Sequence, residues 1–209
     1  GKIKNIKSFK NEKWFKKIKF FESLKPNYKY SYSLNQIKKI KKNKNFRLIG
    51  MGGSTLGTEA IYQFLNHKIK KKFTFINNLN PNLKIEEKKI KAINIIISKS
   101  GNTLETISNS NLLINRRKNI FITENKKSFL RNLALQLKAE IIDHKNYIGG
   151  RYSVLSEVGM LPAEIMGLNE KKFKRFNYLI NNNNFLNELI KNVSAILMFV
   201  KEKKFNSII

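Results

Sequence analysis

The 209-residue sequence has no cysteine and only 3 prolines, 2 histidines and 1 tryptophan. Without cysteine there can be no disulfide framework, thiolate metal site or cysteine nucleophile. The two histidines, His67 and His144, sit far apart. Neither pairs with a Glu at metal-ligand spacing, and no G-x-S-x-G nucleophile elbow occurs. No apolar run is long enough to span a bilayer. The opening Gly1-Lys2-Ile3-Lys4 lacks the apolar core of a signal peptide. Acidic residues are scarce too: 14 Asp plus Glu against 42 Lys plus Arg leave a formal charge of +28. A balance so basic is the usual footprint of a nucleic-acid or membrane-surface binder. The details point elsewhere. Of the basic residues 36 are Lys and 6 are Arg, whereas nucleic-acid readers favour the planar fork of Arg. Lys, Asn and Ile, at 36, 29 and 28 residues, share A/T-rich codons, and the lysines are spread along nearly every segment. The charge is compositional background, and neither nucleic acid nor a membrane is expected as a partner.

A hydrophobic content of 41% is too high for a disordered chain, and the length accommodates one domain with appendages. Residues 1–45 read as a Lys-rich helical arm. Trp14, Phe15, Ile18 and Phe21 recur at helical spacing. Ser33 to Gln36 has the form of a capping box ahead of the stripe Leu34, Ile37, Ile40. From residue 46 short β runs alternate with helices. Strands are expected at 46–49, 73–76, 93–97, 119–122 and 140–142. Helices are expected at 56–65 (inner face Leu56, Ile61, Phe64, Leu65), 84–91, 104–114 and 129–137. This pattern predicts an α/β fold: a doubly wound, five-stranded parallel sheet. Extra helices are expected at the N-terminus and, beyond residue 150, at 154–166, 171–180 and 185–203. Ligands of such sheets bind at the carboxyl ends of the strands, which directs attention to the loops after strands one, three and five.

The first loop is Gly50-Met51-Gly52-Gly53-Ser54-Thr55-Leu56-Gly57. Glycines there let backbone approach a ligand at a helix N-terminus. Thr55 in place of a third fingerprint glycine, and Asn77-Asn78 where an acid is needed, speak against a nicotinamide cofactor. The second loop, Ser98-Lys99-Ser100-Gly101-Asn102-Thr103-Leu104-Glu105-Thr106, places four hydroxyls, an amide and a cation at the start of a helix. That set matches a phosphate monoester. Asn102 with Glu105 would make a capping box there. The third loop, Gly149-Gly150-Arg151, holds one of the few arginines against paired glycines, where a guanidinium could stabilise an oxyanion.

Taken together, the three loops resemble the glucose-6-phosphate isomerases. The first is similar to that family's opening signature, and Ser98 to Thr106 resembles its S-K-[ST]-x-x-T-x-E-T phosphate loop. Gly149-Gly150-Arg151-Tyr152-Ser153-Val154-Leu155-Ser156-Glu157-Val158-Gly159-Met160-Leu161-Pro162 resembles its G-G-R-[FY]-S-…-G-L-x-P stretch. The match runs over residues 46–168, and the third signature separates this family from other sugar isomerase (SIS) domains.

The resemblance implies a flavodoxin-like SIS fold and a cytoplasmic, metal-free and cofactor-free enzyme. It would interconvert glucose 6-phosphate and fructose 6-phosphate through an enediolate, as a homodimer when full length. Ser98, Ser100 and Thr103 would hold the phosphate with Lys99 alongside. Ser54 and the backbone of Gly53 would contact the substrate. Gly150 and Arg151 would sit by its first two carbons, with Arg151 stabilising the enediolate. Residues 46–148 would form the first SIS domain, and 149–209 would lead toward a second. Gly1 at the start and the apolar Ile208-Ile209 at the end give the expectation of a piece cut from a longer chain. The family's proton-carrying Glu would then lie outside these residues and the piece alone would be inactive. Glu157, Glu164 and His144 match no catalytic motif of the family. A non-catalytic SIS module that senses sugar phosphates is the alternative, and residues 1–45 show no convincing helix-turn-helix to support it.

Overall fold

A computed structural model describes residues 19–80, 91–114 and 119–202. Five strands form one parallel sheet: β1 (Asn45–Ile49), β2 (Lys72–Ile76), β3 (Ile93–Ile97), β4 (Asn119–Glu124) and β5 (Glu140–His144). Their spatial order is β2-β1-β3-β4-β5, the doubly wound order expected. The central strands read as unbroken apolar runs because both faces are covered; all five residues of β3 are buried.

One face is covered by α1 (Leu34–Ile40), α2 (Leu56–Phe64) and α5 (Glu157–Met166). Ile37, Val158, Leu161 and Ile165 pack there on Phe46, Leu48, Ile95 and Ile122. The other face is covered by α3 (Leu104–Leu113) and α4 (Phe129–Gln136). Leu113, Leu130 and Ala134 meet Ile49, Ile96 and Phe121 there. The helix after β1 and the helix after β3 therefore leave toward opposite faces, opening the crevice between those strands where such sheets bind ligands. Beyond α5 come α6 (Glu170–Phe173), a 3₁₀ segment at Arg175–Asn181 and α7 (Asn183–Lys201). No helix among the described residues is long and apolar enough to cross a membrane.

Beneath α3 runs a buried polar row. Arg47, Asn94 and Asn119 are register partners across β1, β3 and β4. Arg47 donates to Asn94 Oδ1 at 3.4 Å. Asn94 Nδ2 in turn donates to Asn119 Oδ1 and to the Leu113 carbonyl, both at 2.8 Å. The Leu113 carbonyl is one of the orphan acceptors at a helix C-terminus, so a sheet side chain caps a helix.

Several local expectations need correction. The capping box at Ser33 and Gln36 forms, but the one expected from Asn102 and Glu105 does not. Thr103 is the N-cap of α3, and Asn102 Oδ1 accepts from Phe129 N of α4 at 2.9 Å. On α2, Ile61 faces inward as expected, but Leu56 and Phe64 face solvent, and Thr58 and Tyr62 turn inward in their place. β5 continues through Asp143 and His144, and β4 through Thr123 and Glu124. The helix expected from residue 154 begins at Glu157, because residues 153–156 form a turn capped by Ser156. The 171–180 helix is a short α turn followed by 3₁₀. All but Lys91 of the helix expected at 84–91, most of the N-terminal stripe and the terminal Ile208-Ile209 lie outside the described residues.

Helix α5 shows how its sequence fits its place. Pro162 lies inside it and lacks an N–H, which leaves the Val158 carbonyl without its intrahelical donor. Thr58 Oγ1 of α2 donates to that carbonyl at 3.3 Å. Gly57 and Gly159 close on Val154 from α2 and α5. A Cβ on Gly57 would lie 2.6 Å from a Val154 methyl, and one on Gly159 would lie 2.0 Å from its carbonyl oxygen. The loop after β5 is thereby clamped between two helices.

Candidate functional site

The three loops meet at the carboxyl edge of the sheet. After β1, Gly52–Ser54 makes a 3₁₀ turn; after β5, Gly150–Tyr152 makes another. They touch backbone to backbone: a Cβ on Gly53 would sit 2.3 Å from the Gly150 carbonyl oxygen and 2.8 Å from Arg151 N. Ser153 fastens the contact, its hydroxyl shared between the carbonyls of Gly150 at 2.6 Å and Gly53 at 3.2 Å. Gly53, Ser54, Gly150 and Arg151 are thus brought together. Arg151 is solvent-exposed.

Between β3 and α3 the hydroxyls converge. Ser98 Oγ lies 2.9 Å from Thr103 Oγ1, and Ser100 Oγ is 3.5 Å from each. Ser98 is almost completely buried and accepts from Gly101 N at 3.1 Å. Ser100 Oγ accepts from Asn102 N at 3.2 Å. Gly101 has φ +69°, a left-handed conformation that a side chain resists, and a Cβ there would strike Ser128 Oγ at 2.1 Å. This turn presents three hydroxyls at the N-terminus of a helix, where an anion gains from free N–H groups and the helix dipole.

Lys99 stands beside them but is already engaged. Its ammonium donates to the Asn146 carbonyl at 2.7 Å and lies 3.5 Å from Glu124. It therefore spans from the loop between β3 and α3 to the segment that leads into Gly149-Gly150. Glu124, at the end of β4, also pairs with Lys126 at 2.6 Å. Burial alone would raise the pKa of this carboxyl, but Lys126 and then Lys99 outweigh it, and the group stays below the usual carboxylate range. Glu124 was invisible as a site neighbour in the sequence; its place at a strand's carboxyl end was the available signal.

His144 ends β5 and is buried, with Nδ1 2.9 Å from the Lys145 carbonyl. Burial pushes its pKa down, while the Lys145 carbonyl and Glu157 pull the other way. His67 lies in an exposed 3₁₀ turn. Among the described residues no group of three or more acidic or histidine side chains could hold a metal ion.

The family model for phosphoglucose isomerase matches residues 32–201. The glucose-6-phosphate isomerase of Methanocaldococcus jannaschii is 35% identical over 155 residues, covering 68% of this chain and 38% of that protein. That of Borreliella afzelii is 40% identical over 141 residues, covering 58% and 26%. The chain thus spans well under half the length of these curated relatives. A hypothetical protein from Thermus thermophilus has a crystal structure that superposes with TM-score 0.64 at 24% identity, over 74% of this chain and 40% of that one. The tagatose-6-phosphate ketose/aldose isomerase from Escherichia coli gives TM-score 0.50 at 15% identity, over 77% and 46%. These two likenesses speak for the SIS fold. With the family model covering most of the sequence and the three signature loops meeting at one sheet edge, the chain belongs to the phosphoglucose isomerase family.

Proposed function

We propose that this chain is the phosphate-gripping part of a glucose-6-phosphate isomerase, which interconverts glucose 6-phosphate and fructose 6-phosphate. The observation that supports the reading is the Gly53–Gly150 backbone contact, which puts the Arg151-bearing turn next to the Gly52–Ser54 turn at the edge that also holds three clustered hydroxyls. In this reading Ser98, Ser100 and Thr103 donate to the phosphate, and Lys99 lends positive charge from the side. Ser54 and the backbone of Gly53 contact the substrate. Gly150 and Arg151 lie by carbons one and two.

In the reaction a base takes the proton from carbon two of the open-chain aldose and returns it to carbon one, while the hydroxyl proton moves from oxygen two to oxygen one. The intermediate is an enediolate, and no atoms are gained or lost. A fixed guanidinium contributes most where that negative charge develops. The base itself is assigned to none of the residues here. In this reading residues 46–148 are the first SIS unit of the enzyme, residues 1–45 a helical arm and 149–209 the lead toward the rest of a cytoplasmic homodimer.

The test is Arg151→Ala in the complete protein as expressed from its gene, assayed by coupled turnover. Turnover should fall about a hundredfold with KM changed only a few-fold. A raised KM with unchanged turnover would refute the enediolate role. The 209 residues alone should show no turnover.

A further inference from the structure

Glu157, the first residue of α5, is fully buried. Its carboxylate faces residues 28–31 rather than the ligand edge. Tyr28 OH donates to both carboxylate oxygens at 3.0 Å. The backbone N–H and hydroxyl of Ser31 donate to Oε1 at 3.1 Å. A buried carboxylate is tolerated only with such a full set of donors.

The strap that supplies them is itself fixed. Tyr30 and Tyr32 donate to Glu170 and Glu164 at 3.2 and 2.9 Å. Lys174, nearly buried, lies over the rings of Tyr28 and Tyr30 at 5.2 and 4.6 Å and donates to the Lys25 carbonyl.

From Glu157 a continuous path leads to the site. The preceding residue, Ser156, caps α5 and donates to the Ser153 carbonyl at 2.6 Å. Ser153 in turn joins Gly150 to Gly53. The path ends on the turn that presents Arg151. Resting on the isomerase reading above, we propose that Glu157 is a positioning residue for Arg151: the 28–31 strap, acting through this carboxylate, holds the guanidinium where the enediolate forms.

The experiment compares wild type with Glu157→Gln in the complete protein. It measures turnover and two inhibition constants, one for a phosphorylated planar aldonate that mimics the enediolate and one for inorganic phosphate. A neutral amide accepts more weakly than a carboxylate and sets an NH2 where the second oxygen met the Tyr28 hydroxyl, so the turn should lose its fixed position. Turnover should fall about tenfold and the aldonate should bind about tenfold more weakly, with phosphate within about twofold. Simple destabilisation would leave both constants unchanged or weaken both by the same factor, through the fraction of protein folded. Unchanged aldonate binding, or equal weakening of both inhibitors, would overturn the assignment. Should the Gln variant fail to fold, Tyr28→Phe removes a single donor and keeps the ring. It should weaken the aldonate alone by about threefold, and equal inhibition constants in that variant would also overturn it. A wild-type protein without turnover would refute the isomerase reading itself, and this inference with it.

Discussion

Thr58 and Val158, one hundred residues apart, are joined because a proline requires it: the Thr58 hydroxyl supplies the Val158 carbonyl with the donor that Pro162 cannot. Thr58→Val keeps the shape and removes the donor. It should cost about 1–3 kcal/mol in urea or thermal unfolding, the penalty for an unsatisfied buried acceptor. Pro162→Ala restores an intrahelical donor, so Thr58→Val should cost much less in that background. Equal costs in both backgrounds would show that the hydroxyl is idle.

On the proposed reading, Ser98 contacts the phosphate. It accepts from Gly101 N and meets Thr103, so Ser98→Ala both removes a donor from the hydroxyl cluster and loosens its turn. Titration calorimetry with inorganic phosphate should show affinity reduced about tenfold, equivalent to about 1.4 kcal/mol. Unchanged affinity would place the phosphate elsewhere.

His144 predicts a pH dependence of stability. Its folded pKa is lowered by burial, so the unfolded chain binds the proton more readily. Stability is then full above the ordinary His value of about 6.5 and is lost as pH falls below it toward 5. Glu164, whose pKa burial raises, works in the opposite sense near the carboxylate range, so the comparison must be between variants. Urea midpoints of wild type should decline between pH 7 and pH 5 more steeply than those of His144→Asn. Parallel slopes would contradict the assignment.

The strands were legible because buried parallel strands announce themselves as apolar runs: Ile93 to Ile97 needed no tertiary information. β5 was cut short because Asp143 and His144 look like loop residues. They hold the strand through Arg131, which pairs with Asp143 at 2.8 Å, and through burial of the imidazole. Local spacing also misplaced Asn102. A Glu three residues on is the form of a cap, but Phe129 N, from another helix, takes its side-chain oxygen. The three signature loops were readable as motifs, since their glycines and hydroxyls sit together in sequence. The support for Arg151 was not, because the partners of Glu157 lie more than 120 residues away.

The polar row of Arg47, Asn94 and Asn119 has a consequence for how the sheet finds its alignment. Isoleucine repeats so evenly along β3 that hydrophobicity distinguishes poorly between one pairing and another two residues along. Such a slip would set Asn94 opposite Ile49 on β1 and Phe121 on β4, stranding its amide among side chains that can neither donate nor accept. In a chain whose composition has drifted toward lysine, asparagine and isoleucine, two of those asparagines act as an index mark. They allow the central strands one alignment, and with it one placement of the loops that the strands carry.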